Sequence, residues 1–327
     1  MSYLLRGVAA AGSIRVIAAD TTGLVEGARV RHDTSPTATA ALGRTLTGAL
    51  LLSHVLLKNP QDRVTLRLRG DGPLGGVIAD AGLDGAVRGY VTNRDATLPP
   101  RPDGKLDVGG ALGRGDLQVI RAHAPYGDPY SSSVDLVTGE VAEDITVFLA
   151  QSEQISSAVL LGVYIEPSGV VRSGGVILQA LPGADEGALA RLEANVRALG
   201  QLTDAMRRAS LLEILEELCW GLDFKLLTPD ALPLRFECRC SDEKALDALA
   251  YFSPEEREQM IQEDGGAEVV CHWCGEARFV GPEGLRSISR SEIRCPECDT
   301  LWYRDGQATM VRESERCACG RPVMLPA

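Results

Sequence analysis

Nine cysteines stand in this 327-residue chain, none before Cys219, and eight fall in two blocks near the C-terminus. The first block is Cys238-x-Cys240, thirty intervening residues, then Cys271-x-x-Cys274. It supplies four soft thiolates in two closely spaced pairs, the number and ligand type that a closed tetrahedral zinc site requires. The second block, Cys295-x-x-Cys298, eighteen residues, then Cys317-x-Cys319, repeats the arrangement with the pairs reversed, and Gly320 follows as in a zinc-knuckle turn. A second zinc site is expected there, in a zinc ribbon that carries Trp302-Tyr303 on a strand. His272, inside CHWC, is expected to be passive because four cysteines already complete the first site. Cys219, in LLEILEELCW, is expected to be a buried small hydrophobe.

Composition narrows the chemistry further. A content of 45% hydrophobic and 24% charged residues is that of an ordinary globular protein, long enough for two or three units. With 33 Lys plus Arg against 45 Asp plus Glu, the formal charge of −12 argues against general nucleic-acid or anionic-membrane binding. The tail beyond residue 281 balances seven Arg against seven acids and shows no basic footprint. No apolar run reaches the length of a membrane span, and MSYLLRGVAA lacks the features of a secretory signal. A cytoplasmic protein is expected, where thiols stay reduced and clustered cysteines read as metal-binding or redox-active.

The elements that must position these thiols are partly readable. Ser35-Pro36 offers an N-cap and a first-turn proline, and the Ala/Leu-rich stretch from Thr37 to Lys58 reads as a buried helix stopped by Asn59-Pro60. Val64, Leu66 and Leu68 alternate with Thr65, Arg67 and Arg69, as in a half-buried strand, and GDGPLGG supplies turn chemistry. It lacks the Lys-Ser/Thr of a phosphate loop. Further strands are expected over 85–92, 117–122, 158–165 and 170–181, and a helix over 141–151. Strands and helices do not alternate strictly, so an α+β core with a mixed or antiparallel sheet is expected over residues 1–182. Residues 183–234 read as a helical linker: Leu189, Leu192, Val196, Leu199 and Leu202, then Leu211, Leu215 and Leu218, form an apolar stripe whose nearest packing partner is the core sheet. Residues 235–281 form a small zinc domain with two short helices between the cysteine pairs, Ser253-Pro254 starting one and Gly265-Gly266 stopping it. Residues 282–327 form the zinc-ribbon-like tail.

From about Tyr3 to Val280 the chain resembles the redox-regulated holdase chaperones of the heat shock protein 33 family. The resemblance rests on HDTSPTATAALGR, RGDGPLGG, VRGYV, GEVAEDITVFLAQSEQ, GGVILQALPG and, above all, the CxC and CxxC pairs. It implies an α+β core, a helical linker and a small zinc domain. It also implies an ATP-independent chaperone, not an enzyme, inactive when reduced and zinc-bound. Oxidation would form Cys238–Cys240 and Cys271–Cys274 disulfides and release the metal; the implied partners are unfolded client proteins and, in oxidised forms, a second copy of the chain. The second cysteine block is a departure from the family pattern, and cross-block disulfides stay open.

Elementary energetics make such a switch workable. A zinc domain of about 45 residues is too small for a sufficient core, and zinc binding of roughly 10–16 kcal/mol is as large as a whole domain's stability of roughly 5–15 kcal/mol. Local disulfides closing three or four residues would constrain the unfolded chain by roughly 1.6–1.9 kcal/mol, against roughly 3.8 for a link across about 35 residues. Oxidation therefore reads as an unfolding signal, freeing the linker stripe to join an uncovered core surface that holds clients. Two other functions remain open at this level: a thiol-disulfide oxidoreductase using CHWC, and a zinc-ribbon adaptor for nucleic acid or protein.

Overall fold

The computed structural model describes residues 2–123, 128–227 and 231–288, together with the backbone of 291–294 and 301–304. The chain divides into two compact units, Met1–Cys238 and Arg239–Ala327.

The first unit opens with an antiparallel hairpin, β1 (Tyr3–Ala9) and β2 (Ile14–Asp20), followed by helices α1 (Thr22–His32) and α2 (Pro36–Leu56). Ser35 caps α2, its Oγ accepting from Ala38 N at 3.2 Å, and Pro36 occupies the first turn. As expected, α2 is buried along most of its length. Two of its buried hydroxyls bond back to the preceding turn: Thr45 Oγ donates to Ala41 O at 2.8 Å and Thr47 Oγ to Gly43 O at 2.7 Å.

Then come β3 (Arg63–Gly70), β4 (Gly76–Gly82), β5 (Ala86–Val91), the short helix α3 (Val108–Leu112), β6 (Gly115–Ala122), β7 (Tyr130–Asp135), α4 (Ala142–Gln151), β8 (Ser157–Glu166) and β9 (Gly169–Ala180). The strands expected over 64–69, 85–92, 117–122, 158–165 and 170–181 and the helix over 141–151 are all present. RGDGPLGG is the β3–β4 turn, and Ser131–Ser133 lie on β7.

The linker folds as three helices, α5 (Glu186–Leu199), α6 (Leu202–Arg208) and α7 (Leu211–Leu218). Beyond them the chain does not stay helical. It forms three two-residue strands, β10 (Lys225–Leu226), β11 (Leu232–Pro233) and β12 (Arg235–Phe236), which the sequence reading did not anticipate.

Two six-stranded sheets result. One runs β10-β1-β2-β9-β8 with β11 also on β1, and the other β12-β5-β4-β3-β6-β7. All pairings are antiparallel except β12 with β5. Helix α2 touches strands of both sheets, and its side chains pack with Leu4, Ile17, Ala19, Leu66, Leu68 and Ile177 in one core. The opposite face of the first sheet, Leu5, Ile14, Val16, Ala18, Val176 and Leu178, is covered by Leu192, Leu199, Leu202, Met206, Leu211, Ile214, Leu215 and Leu218 of the linker helices. The apolar stripe thus packs on the core sheet, as expected. Burying each large aliphatic side chain stabilises this docking by roughly 1.5–3 kcal/mol before conformational entropy is counted.

In the second unit, α8 (Asp242–Leu249) and α9 (Pro254–Asp264) occupy the stretch between the cysteine pairs, and α9 begins with a Ser253/Glu256 capping box and ends at left-handed Gly265, as read from the sequence. A hairpin, β13 (Ala267–Val270) and β14 (Ala277–Val280), and a short helix, α10 (Pro282–Ser287), complete a small core of Ala245, Leu249, Val280 and Leu285. Arg257 is buried against it and donates to Leu285 O at 3.1 Å and Ile288 O at 2.8 Å. The backbone of β15 (Ser291–Arg294) pairs with β16 (Leu301–Arg304), the strand that carries Trp302 and Tyr303.

Candidate metal centre

The thiols of Cys238, Cys240, Cys271 and Cys274 all lie within 4.8 Å of one another, and none forms a disulfide. Two local structures bring them together. The β13–β14 hairpin reverses at Cys271–Gly275: Cys271 N donates to Glu276 O at 2.9 Å, while Cys274 N and Gly275 N donate back to Cys271 O at 3.3 and 2.7 Å. Gly275 takes φ +72°, the left-handed conformation that glycine adopts without strain. This turn points both CxxC sulfurs the same way. On the other side, Cys238 and Cys240 occupy the extended stretch between β12 and α8, and Ser241 caps α8 by accepting from Lys244 N at 3.2 Å.

The spacing fits a metal of zinc's size. A tetrahedral site with metal–sulfur bonds of about 2.3 Å places sulfurs about 3.8 Å apart. Cys240 Sγ and Cys274 Sγ are 3.6 Å apart, and the whole group needs only a small contraction. Cys274 is buried, whereas the other three are half-buried and within reach of small solutes. His272 is exposed in the turn and is not part of the four-thiol group.

One feature beside the thiols was missed from sequence. Arg278 Nη2 lies 3.6 Å from Cys240 Sγ, and the same guanidinium pairs with Asp242 and, at 3.0 Å, with Glu276. Its contact with Cys240, then Asp242, raises its already high pKa. The guanidinium places a fixed positive charge beside one of the four candidate ligands. The signal available in the sequence was only the Glu-x-Arg immediately after CHWCG.

The remaining cysteines divide. Cys219 is buried at the end of α7, and burial pushes its thiol up to about 11, consistent with a small hydrophobe rather than a nucleophile. The expected second metal site, Cys295, Cys298, Cys317 and Cys319, lies outside the described residues.

Fold and thiol cluster together define a two-unit α+β protein with a metal-capable cysteine centre. Residues 2–279 match the sequence model of the Hsp33 protein family, so the chain belongs to that family. It is similar to the 33 kDa chaperonin of Thermus thermophilus, 54% identical with 100% of this chain and 98% of the relative aligned. It is also similar to that of Deinococcus radiodurans, 49% identical over 89% and 99% of the two chains. The crystal structure of the 33 kDa chaperonin (Heat shock protein 33 homolog) from Thermotoga maritima superposes with a TM-score of 0.79 at 33% identity, covering 88% of this chain and 97% of that one. These relatives support a chaperone role. The tail with the second cysteine block lies beyond the residues that the family model matches, in line with the departure read from the sequence, and within the full-length alignment with the Thermus protein.

Proposed function

We propose that the protein is a redox-regulated, ATP-independent cytoplasmic holdase that binds unfolding proteins under oxidative stress. The observation that carries this reading is the convergence of four unbridged thiols, three of them half-buried, at the end of the segment that leads out of the core sheets. Cys238, Cys240, Cys271 and Cys274 would hold zinc, which supplies a cross-link between chain segments far apart in sequence and keeps the sulfurs deprotonated.

The oxidant acts on those sulfurs. With hydrogen peroxide, one thiolate attacks a peroxide oxygen and becomes a sulfenic acid, and the neighbouring thiolate displaces hydroxide from it to form the disulfide. Two thiolates lose two electrons, peroxide gains them, and two protons complete two waters. Pairing within Cys238–Cys240 and Cys271–Cys274 leaves no ligand for the metal and no covalent link between the pairs. Among the described residues the second unit has a small apolar core, so loss of the cross-link is expected to unfold it. The chain that follows the linker is then no longer held at the cluster, and the apolar faces that α5–α7 and the first sheet present to each other become available to clients. Zinc identity, client binding and an oxidised homodimer are parts of this reading.

Light scattering of a heat-unfolding client tests it. Peroxide-treated protein is expected to suppress aggregation at near-equimolar ratio, and reduced, zinc-loaded protein to leave it unchanged. Equal activity of the two forms refutes the redox gate, and inactivity of both refutes the chaperone reading.

A further inference from the structure

Residues 225–226 and 232–236 close one edge of each sheet, and Cys238 follows two residues on. β10 and β11 lie on β1 through Val8↔Lys225, Gly7↔Leu226, Leu4↔Leu232 and Tyr3↔Pro233. β12 lies parallel on β5, where Arg235 N donates to Gly85 O at 3.0 Å and Glu237 N to Val87 O at 2.9 Å. Both edges are shaped for a close-lying segment. A Cβ on Gly85 would stand 2.4 Å from Pro233 O, and one on Gly7 would stand 2.9 Å from Lys225 O.

The cover on β5 is short. It offers two main-chain hydrogen bonds, worth roughly 1–3 kcal/mol net together, the Arg235 guanidinium on Asp84 O at 2.7 Å and its carboxylate at 3.1 Å, and Phe236, half-buried beside His32 with the Arg31 guanidinium 5.6 Å from its ring centre; upstream, Leu234 is buried in the core and holds the other end. A strand this short depends on what anchors its ends, and its downstream end is anchored one residue after Glu237 at a thiol of the cluster.

We propose that the β5 edge, vacated by β12, is a strand-addition site for extended segments of unfolded polypeptide. The proposal rests on the oxidation-gated reading above and names how the client is held. Unfolded proteins share no side-chain motif, but every non-proline residue carries an N–H and a C=O, and strand addition takes its affinity from those groups. Gly85 O and Val87 O are two acceptors already shown to take amides from a passing segment. An edge uncovered in this way presents the unpaired row that natural proteins otherwise keep hidden. The opposite edges, β7 and β8, pair with no outer strand among the described residues, so they are the same before and after oxidation and do not explain a gain of binding.

Two measurements on the full-length, peroxide-oxidised protein test this. Capture of a fluorescent unfolded client is measured first; its absence overturns the function reading and the edge site with it. A peptide of residues 231–237, ALPLRFE, is then added, beside the same peptide N-methylated at Arg235 and Glu237. The plain peptide is expected to displace the client and the methylated one to lose that ability. Equal displacement by both would show that side chains alone carry binding, and displacement by neither would show that β5 is not the site; either overturns the proposal while leaving the holdase reading intact. In parallel, β5 amides are expected to exchange hydrogen faster after oxidation and to slow again with client bound. Exchange that client leaves unchanged is equally contrary.

Discussion

At the scale of single residues, burial decides which titratable groups are reactive and which merely respond to pH. Cys219 is pushed up to about 11 by burial. The folded state therefore binds its proton more tightly than the unfolded state, so the stabilisation is complete below the ordinary thiol range near pH 9 and is lost as pH rises toward about 11. At neutral pH Cys219 is expected to resist iodoacetamide in the native, zinc-loaded protein and to label only on unfolding; mass spectrometry of trypsin digests reads this directly, and fast native labelling would contradict the buried assignment. His54 behaves in the opposite sense. Burial, then Arg6, lowers its pKa to about 4, and its Nε2 is buried without a partner. The stabilisation is present above the unfolded value near 6.5 and is lost as pH falls toward 4, on the order of 3 kcal/mol at the limit. Thermal unfolding of the wild type is expected to decline over that window more steeply than that of His54→Gln; parallel pH profiles would show that His54 does not carry the effect.

At the scale of elements, what was readable depended on whether an element faces water on one side. β3 was legible because Val64, Leu66 and Leu68 alternate with exposed-side Thr65, Arg67 and Arg69. β2 was not, because Ile17 and Ala19 face α2 while Ile14, Val16 and Ala18 face the linker helices, so both faces are apolar and the period of two vanishes. β4 is buried throughout and carries no alternation either. β10, β11 and β12 exist only by pairing with β1 and β5, and a two-residue strand leaves no local pattern to read. The linker helices were legible from their leucine spacing, and their docking is sensitive to small changes on the sheet. A Cβ on Gly162 of β8 would stand 2.7 Å from Thr203 Cγ2 and 3.2 Å from Thr203 N on α6. Gly162→Val is expected to loosen α6 and raise binding of an apolar fluorescent dye by the reduced protein well below its global unfolding temperature; dye binding equal to wild type would show that α6 tolerates the intrusion. In the second unit, Arg257→Ala removes the donor to Leu285 O, in a buried contact, and to Ile288 O, in a partly buried one. It is expected to cost about 2–4 kcal/mol and to release metal at a lower chelator concentration; an unshifted release curve would count against a structural role for this arginine.

At the scale of the whole molecule, thiol spacing pointed to the four-thiol cluster because CxC and CxxC are short-range patterns tied to ligand chemistry. How the centre is tied to the rest of the chain was not disclosed, since the route from Cys238 through β12 to β5 is made by tertiary pairing. The architecture separates a large core, which folds around α2 without cysteine ligands, from a small unit whose apolar cluster among the described residues is built on Ala245, Leu249, Val280 and Leu285. On the proposed reading a metal at the four thiols would stabilise the small unit and leave the large one unaffected. Chelation of the reduced protein is accordingly expected to abolish the weaker of two calorimetric transitions and leave the stronger within a few degrees; loss of both together would show that the core also depends on the metal.

The most direct test follows zinc and client at once. A zinc-sensitive dye records metal release from the reduced protein on addition of peroxide with mild heat, while light scattering of an unfolding client is recorded in the same cuvette. Scattering is expected to fall in step with zinc loss, and both are expected to reverse when a dithiol reductant and zinc are supplied. Complete zinc release with undiminished client aggregation would contradict the account.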